Sequence, residues 1–163
     1  MDTEKRGSAR GFSLIELLVV VAIILIVAAI AIPNFLRAKI SANESSAVSS
    51  IHAVNTAEIT YATMYNTVGF SASLADLGDG GTTPCPSTSS AACFIDKSLA
   101  SGSKSGYSFT YVQDTSATPS MGYTINANPQ MTGVTGQRGF YSDQSNIIRA
   151  DPSGTANSTS PPL

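Results

Sequence analysis

The sequence predicts an α+β fold, in which the second half of one long N-terminal helix packs on a small antiparallel sheet of about four strands. Apolar residues fill the first part of the chain and continue as a stripe with helical spacing to residue 68. From Tyr107 onward, short stretches alternate aromatic or aliphatic residues with small polar ones, as strands with one buried face do. Because four such stretches follow one another, an antiparallel meander laid on the helix is the simplest arrangement.

The helix begins with a segment long enough to cross a membrane. Residues 17–32 form an unbroken apolar run of 16 residues, and residues 12–32 extend it to 21, interrupted only by Ser13 and Glu16. About 20 residues are needed for a helix to span a bilayer. Three basic residues precede the run, which predicts a cytoplasmic N-terminus: Lys5, Arg6 and Arg10.

Two simpler interpretations of this segment remain open. An ordinary secretory signal peptide has an apolar region of about 7–15 residues, shorter than this one, although Ala29-Ile30-Ala31 resembles a small-residue cleavage site. A simple signal anchor explains the length but not Glu16, because an acid at the middle of a membrane helix costs about 2.5–3.5 kcal/mol, and less toward the interface. Glu16 therefore calls for a partner.

A short motif joins the polar leader to the apolar helix. Gly11-Phe12 is followed by Ser13-Leu14-Ile15-Glu16-Leu17, so a hydrophilic leader, a Gly, a Phe and a Glu four residues later stand in register with the apolar run. This pattern resembles the class III signal of type IV pilins and of the related type II pseudopilins. Pro33 also matches a proline common in these helices. The motif covers about residues 1–35, and the family implies a type IV pilin-like fold for the whole chain.

The resemblance also implies how the chain is processed and assembled. A prepilin peptidase would remove residues 1–11 by cutting between Gly11 and Phe12, and would N-methylate the new amine of Phe12. Residues 12–33 would form the transmembrane helix and later the filament core, where Glu16 would face the positive Phe12 amine of a neighbouring subunit. Before assembly the chain would lie in the bacterial inner membrane, and afterwards in an extracellular pilus or a periplasmic pseudopilus. The implied partners are copies of itself, the peptidase, the inner-membrane assembly machinery and membrane lipid.

The helical pattern resumes after the span. Pro33 breaks hydrogen bonding to the preceding turn and is predicted to kink the helix. Residues 34–68 form the amphipathic half, with Glu44 and Asn55 among the polar residues outside its apolar stripe. The stripe consists of residues three or four positions apart: Ala47, Val48, Ile51, Val54, Ala57, Tyr61, Tyr65 and Val68. Gly69 is typical of a helix end.

Residues 69–106 form an irregular connection, the αβ-loop, rich in Gly, Ser and Thr. It contains the only two cysteines, Cys85 and Cys93, and in an exported domain an even count at short spacing favours a disulfide. A zinc site would need further ligands, and the only histidine, His52, is far away in sequence and is assigned a structural role.

The strand patterns occupy residues 107–151. The remaining residues, 152–163, are polar and rich in Pro, with little apolar surface to bury, so they are predicted to form a flexible or loosely docked tail.

The composition argues against several functions. One histidine and no metal-ligand cluster make an enzyme improbable, and no cofactor or metal site is predicted, since Asp76, Asp79 and Asp96 lack the spacing of a calcium loop. The formal net charge of −2 does not indicate nucleic-acid binding. The sequence predicts a structural pilin. The alternatives are a major pseudopilin of a type II secretion system, for which the chain lacks an aspartate-rich C-terminal loop, and a membrane-anchored binding module that never polymerises.

Overall fold

A computed structural model describes residues 12–81 and 84–163 of the chain, and every structural statement below refers to them. The predicted leader, residues 1–11 with Gly11 at its end, lies outside the described residues. The chain divides into two compact units, Met1–Arg37 and Ala38–Leu163.

The long helix, α1, begins at Leu14 and ends at Met64. Every described residue from Phe12 to Lys39 is exposed except Ala28, which is half-buried. Among the described residues, α1 is the one helix long and apolar enough to cross a membrane. The helix continues through Pro33 without a break, and the kink at this proline stays a prediction.

The later part of α1 supplies one side of the core in the second unit. Its buried apolar residues recur every three or four positions, as the stripe predicted: Ala47, Ile51, Val54, Ala57 and Tyr61. They pack in one cluster with the inward-facing residues of the sheet: Tyr107, Phe109, Tyr123, Ile125, Ala127 and Phe140. The prediction of a helix whose second half packs on an antiparallel sheet is therefore confirmed.

A tight turn follows the end of α1 and closes at Gly69. The N–H of Gly69 donates to the Tyr65 carbonyl at 3.1 Å, and Gly69 has a φ of +83°. A side chain at this position would also collide with the backbone of Ser120. Only glycine meets both demands without strain, because it has no Cβ.

The αβ-loop is less irregular than predicted. It contains two one-turn helices, α2 (Leu74–Leu77) and α3 (Lys97–Ala100). Leu74, Leu77 and Leu99 are buried in the core, which gives these short helices their stability.

The sheet has five antiparallel strands in the order β1-β2-β3-β4-β5, one more than predicted. They are β1 (Ser103–Lys104), β2 (Tyr107–Gln113), β3 (Tyr123–Pro129), β4 (Gly139–Asp143) and β5 (Arg149–Asp151). The register pairs Phe109 with Ala127 and Ile125 with Ser142. The additional strand is β1, whose two polar residues are too few to form an alternating pattern.

Residues 152–163, predicted to be flexible or loosely docked, lie against the sheet. The N–H of Ala150 donates to the Pro161 carbonyl at 3.0 Å, and the N–H of Leu163 donates to the Ile148 carbonyl at 2.9 Å. Asn126 Nδ2 donates to the Ala156 carbonyl at 2.7 Å. Both backbone and side-chain hydrogen bonds hold the tail, so its low content of apolar residues did not predict that it is ordered.

Candidate assembly site at the start of the apolar helix

Glu16 is bound to the start of its own helix. Ser13 precedes the first residue of α1, and its backbone N–H donates to Glu16 Oε2 at 3.0 Å. A Glu three residues after a Ser at a helix start forms one half of a capping box, which satisfies a backbone donor that has no partner within the helix. The Ser-x-x-Glu spacing could have predicted this contact, but the sequence interpretation considered Glu16 only as a partner for another chain.

The surroundings of Glu16 are apolar and open. Phe12, Ile15, Val19 and Val20 line a shallow pocket together with Glu16. Phe12 is 80% exposed. A surface of this kind is stable only when lipid or protein covers it, because exposing so many contiguous apolar side chains to water is costly.

Glu16 has no ion-pair partner among the described residues. The two salt bridges recorded there join Lys104 to Asp96 and Arg138 to Glu44. Its bond to the Ser13 N–H uses Oε2. The carboxylate can therefore accept a further donor through Oε1 without giving up the bond to Ser13.

The predicted disulfide between Cys85 and Cys93 is present, with Cα atoms 6.4 Å apart. Backbone hydrogen bonds also hold the residues on either side of Cys93. The N–H of Ala92 donates to the Asp76 carbonyl at 2.7 Å, and the N–H of Phe94 donates to the Leu77 carbonyl at 2.8 Å. Backbone bonds and the disulfide thus hold the same part of the αβ-loop.

Tyr61 of α1 and Tyr65, the residue that follows α1, bind the peptide segment enclosed by the disulfide. The hydroxyl of Tyr61 donates to the Ser89 carbonyl at 2.6 Å, and that of Tyr65 donates to the Ser87 carbonyl at 2.9 Å. The two rings also pack together, with centroids 4.7 Å apart. The disulfide loop is therefore attached directly to the helix.

The described residues contain no group of three or more His, Cys, Asp or Glu side chains placed to hold a metal ion. Asp96 has a structural role at the start of α3, where it accepts from the Leu99 N–H at 3.1 Å and pairs with Lys104 Nζ at 2.7 Å. The hydrogen bond from Lys104 holds the pKa of Asp96 below its usual value. His52 is exposed on α1.

The structure buries several polar residues of α1 outside the predicted apolar stripe, among them Glu44 and Asn55. Glu44 Oε1 accepts from the backbone N–H groups of Gln137 and Arg138 at 3.0 Å each, and Oε2 accepts from Arg138 Nε at 2.9 Å. Burial raises the pKa of Glu44, but these hydrogen bonds and the Arg138 charge outweigh it and hold the pKa below its usual value.

Asn55 is the second such residue. It donates through Nδ2 to Ser142 Oγ at 2.9 Å, and its Oδ1 accepts from the Tyr123 hydroxyl at 2.9 Å. All three side chains are buried. Each partner comes from a distant strand, so no local pattern could have revealed either contact.

Comparison with known proteins bears on the N-terminal segment. Residues 6–32 match the family model described as the prokaryotic N-terminal methylation motif. The chain is 44% identical over 68 residues to the type IV major pilin protein PilA of Myxococcus xanthus, a match that covers 37% of this chain. It is 58% identical over 38 residues to the type IV wide pilus major component PilA4 of Thermus thermophilus, covering 23% of this chain.

The chain is similar to type IV pilins in this N-terminal segment. It covers only 31% and 29% of the lengths of these two pilins. No solved structure matches the chain. The similarity to pilins therefore rests on the N-terminal motif and the helix that follows it, and the long helix with its antiparallel sheet agrees with a pilin fold.

Proposed function

We propose that this chain is the structural subunit of a type IV pilus filament. The chain is inserted in the inner membrane and then polymerises through the first part of α1. One observation carries the proposal: the exposed apolar surface of this helix contains a single charged residue, Glu16, from position 12 to position 36. An apolar surface alone would suit any membrane anchor. A carboxylate in an apolar span is costly unless a specific positive group pairs with it, so its presence indicates such a partner.

Maturation creates that positive group. Cleavage between Gly11 and Phe12 leaves a new amine on Phe12, which a prepilin peptidase also methylates. A secondary amine stays basic, so it is protonated when it meets a carboxylate. The names of the two relatives, both major components of type IV pili, support this route.

Docking then pairs the Phe12 amine of one subunit with Glu16 of another. The Ser13 N–H orients the carboxylate through Oε2, which leaves Oε1 for the incoming amine. In an apolar filament core this charge-assisted hydrogen bond is strong, and misplaced subunits leave a buried charge unpaired. The pair therefore sets the axial register between subunits.

A major pseudopilin of a type II secretion system and a membrane anchor that never polymerises are the competing functions. The relatives are named for pili, which favours the pilus. Proteins sheared from the surface of the native host should contain this chain in filaments visible by electron microscopy, with a mass that begins at a methylated Phe12. A host deleted for the gene is the control. Mature chain found only in the periplasm would favour the pseudopilin. Mature chain found only in the membrane would favour the anchor.

A further inference from the structure

A carboxylate is completely buried near the end of α1. Glu58 is 0% exposed and lies opposite Ser71, which is also 0% exposed, in the αβ-loop. The N–H of Ser71 donates to Glu58 Oε2 at 3.0 Å, and Ser71 Oγ lies 2.5 Å from Glu58 Oε1. Glu58 therefore fastens the first residues of the loop to the helix.

Strand β2 holds the same part of the loop from its other side. The hydroxyl of Tyr111 donates to the Ser71 carbonyl at 3.0 Å, and Gln113 Nε2 donates to the Phe70 carbonyl at 2.7 Å. Every backbone and side-chain polar group of Ser71 thus has a partner on α1, on β2 or within the loop. This cluster is the anchor of the loop.

No positive charge compensates Glu58 within the described residues. The titratable groups that act on it or are acted on by it are Tyr61 of α1, Asp76 of α2, Tyr111 of β2 and Tyr123 of β3. None is a cation, and Asp76 is itself an acid. A buried carboxylate without an opposite charge is strongly disfavoured in its ionised form. Burial accordingly raises the pKa of Glu58, although hydrogen bonds from Ser71 oppose the change.

The short contacts around Ser71 Oγ need one more proton than is present when Glu58 is ionised. Ser71 Oγ has a single proton but lies within reach of Glu58 Oε1 at 2.5 Å, the Ser73 carbonyl at 3.1 Å and the Tyr111 hydroxyl at 3.3 Å. If Glu58 is ionised, it accepts the hydrogen bond that the Ser71 hydroxyl donates, and no proton is left for the contact between Ser71 Oγ and the Ser73 carbonyl. If Glu58 is protonated, it donates to Ser71 Oγ, and Ser71 donates onward to the Ser73 carbonyl.

We propose that Glu58, Ser71 and Tyr111 form a proton-dependent latch, which holds the start of the αβ-loop on α1 while Glu58 is protonated and loosens when Glu58 ionises. No bond is made or broken except the O–H bond of Glu58, whose proton exchanges with solvent. Because the folded state raises the pKa of Glu58, the latch contributes its full stability below the usual carboxyl pKa. That contribution is lost as pH rises through the folded-state pKa.

The full chain in detergent micelles, labelled with 13C at the glutamate δ-carbons, tests the proposal directly. The chain has four glutamates, Glu4, Glu16, Glu44 and Glu58. We expect the Glu58 signal, identified by its loss in Glu58→Gln, to titrate above the usual carboxyl pKa and above Glu44. If Glu58→Gln does not fold, through-bond assignment in the wild type identifies the same signal. A Glu58 signal that titrates at or below the usual carboxyl pKa overturns the latch.

Hydrogen exchange of the Ser71 amide supplies the second readout, after correction for the intrinsic pH dependence of exchange. In the wild type, protection should fall with rising pH, up to tenfold in total for each unit by which the folded-state pKa is raised. In Glu58→Gln, whose amide can donate to Ser71 Oγ and accept the Ser71 N–H, protection should not change with pH. Glu44→Gln is the matched control and should keep the wild-type dependence. Protection that is independent of pH in the wild type, or that falls equally in Glu58→Gln, contradicts the proposal.

Discussion

The backbone N–H of Ser13 and the carboxylate of Glu16 are joined by a 3.0 Å hydrogen bond across the first turn of α1. The carboxylate is therefore a local part of the helix start as well as the proposed partner of another chain. These two roles make different demands on the side chain: a cap needs only an acceptor, whereas pairing with an amine needs a negative charge.

Substitutions at Glu16 separate the two roles. Glu16→Gln keeps an acceptor for the Ser13 N–H but loses the charge, so we expect inserted and correctly cleaved subunits with a strongly reduced filament yield. Glu16→Leu should insert at least as well and form few or no filaments, because it leaves the neighbour's amine unpaired in the core, at a cost of about 3–5 kcal/mol. The yield of sheared filaments relative to membrane-bound mature subunit measures both.

Ser13→Ala is the control, since it keeps the backbone N–H that Glu16 accepts, and it should assemble normally. Wild-type filament yield from Glu16→Gln would show that capping is the main role of this residue. The proposed pairing with Phe12 would then have to be abandoned.

Glu44 should stabilise the second unit in a pH-dependent way. Its folded-state pKa is lowered, so its contribution is present above the usual carboxyl pKa and is lost as pH falls through the folded-state value. Because the Arg138 side chain is 44% exposed, the ion pair is partly screened, and Glu44→Gln should cost only about 1–2 kcal/mol at neutral pH. Urea unfolding of the full chain in micelles at pH 7 and pH 3 checks this. An equal cost at both values would be inconsistent with the charged clamp.

The buried hydrogen bonds of Asn55 should contribute more to the free energy of unfolding than an exposed polar side chain of the same helix does. Asn55→Ala leaves the Tyr123 hydroxyl and Ser142 Oγ without this partner, and we expect a loss of about 2–3 kcal/mol. Adding Tyr123→Phe should restore part of that loss, because it removes the orphaned hydroxyl. The exposed Ser49 offers a control, since Ser49→Ala should change the unfolding free energy by less than about 0.5 kcal/mol. Strict additivity of the Asn55 and Tyr123 substitutions would argue against their coupling.

Removing the disulfide should weaken the fold without opening the loop. For a loop this short, the chain-entropy estimate for Cys85→Ser with Cys93→Ser is about 2–3 kcal/mol of lost stability, exerted through the unfolded state. The backbone bonds of Ala92 and Phe94 remain, so their amides should stay protected from exchange in the double variant. Loss of that protection would mean that the disulfide alone holds the segment. In the wild type, neither cysteine should react with an alkylating agent before reduction.

The elements that the sequence predicted are those whose pattern is local. The alternation through Tyr107 and Phe109 places both side chains in the core, and β2 begins at Tyr107, where the predicted strand pattern begins. The helical stripe works for the same reason, because spacing alone decides which face of α1 is buried. The chain has only two cysteines, so only one disulfide pairing within the chain was available.

The buried polar residues of α1 were beyond local reasoning. Glu44, Asn55 and Glu58 look like ordinary polar positions, but their partners lie 94, 87 and 13 residues further along the chain. A polar side chain is buried only where it finds a hydrogen-bond partner, and the tertiary fold decides which distant residues can be that partner. Ser13 is the exception, since its spacing to Glu16 already carried the signal of a cap.

The C-terminal residues have a consequence for contacts between molecules. The Pro161 carbonyl accepts from the N–H of Ala150 in β5, the last strand of the sheet, and the N–H of Leu163 donates to Ile148 just before that strand. The first strand, β1, is only two residues long and carries Lys104. Unpaired edge strands recruit strands from other molecules, and covering, shortening or charging an edge prevents this. Both ends of the sheet are therefore protected against edge-to-edge pairing with the sheet of another copy, and any ordered contact between copies has to use other surfaces.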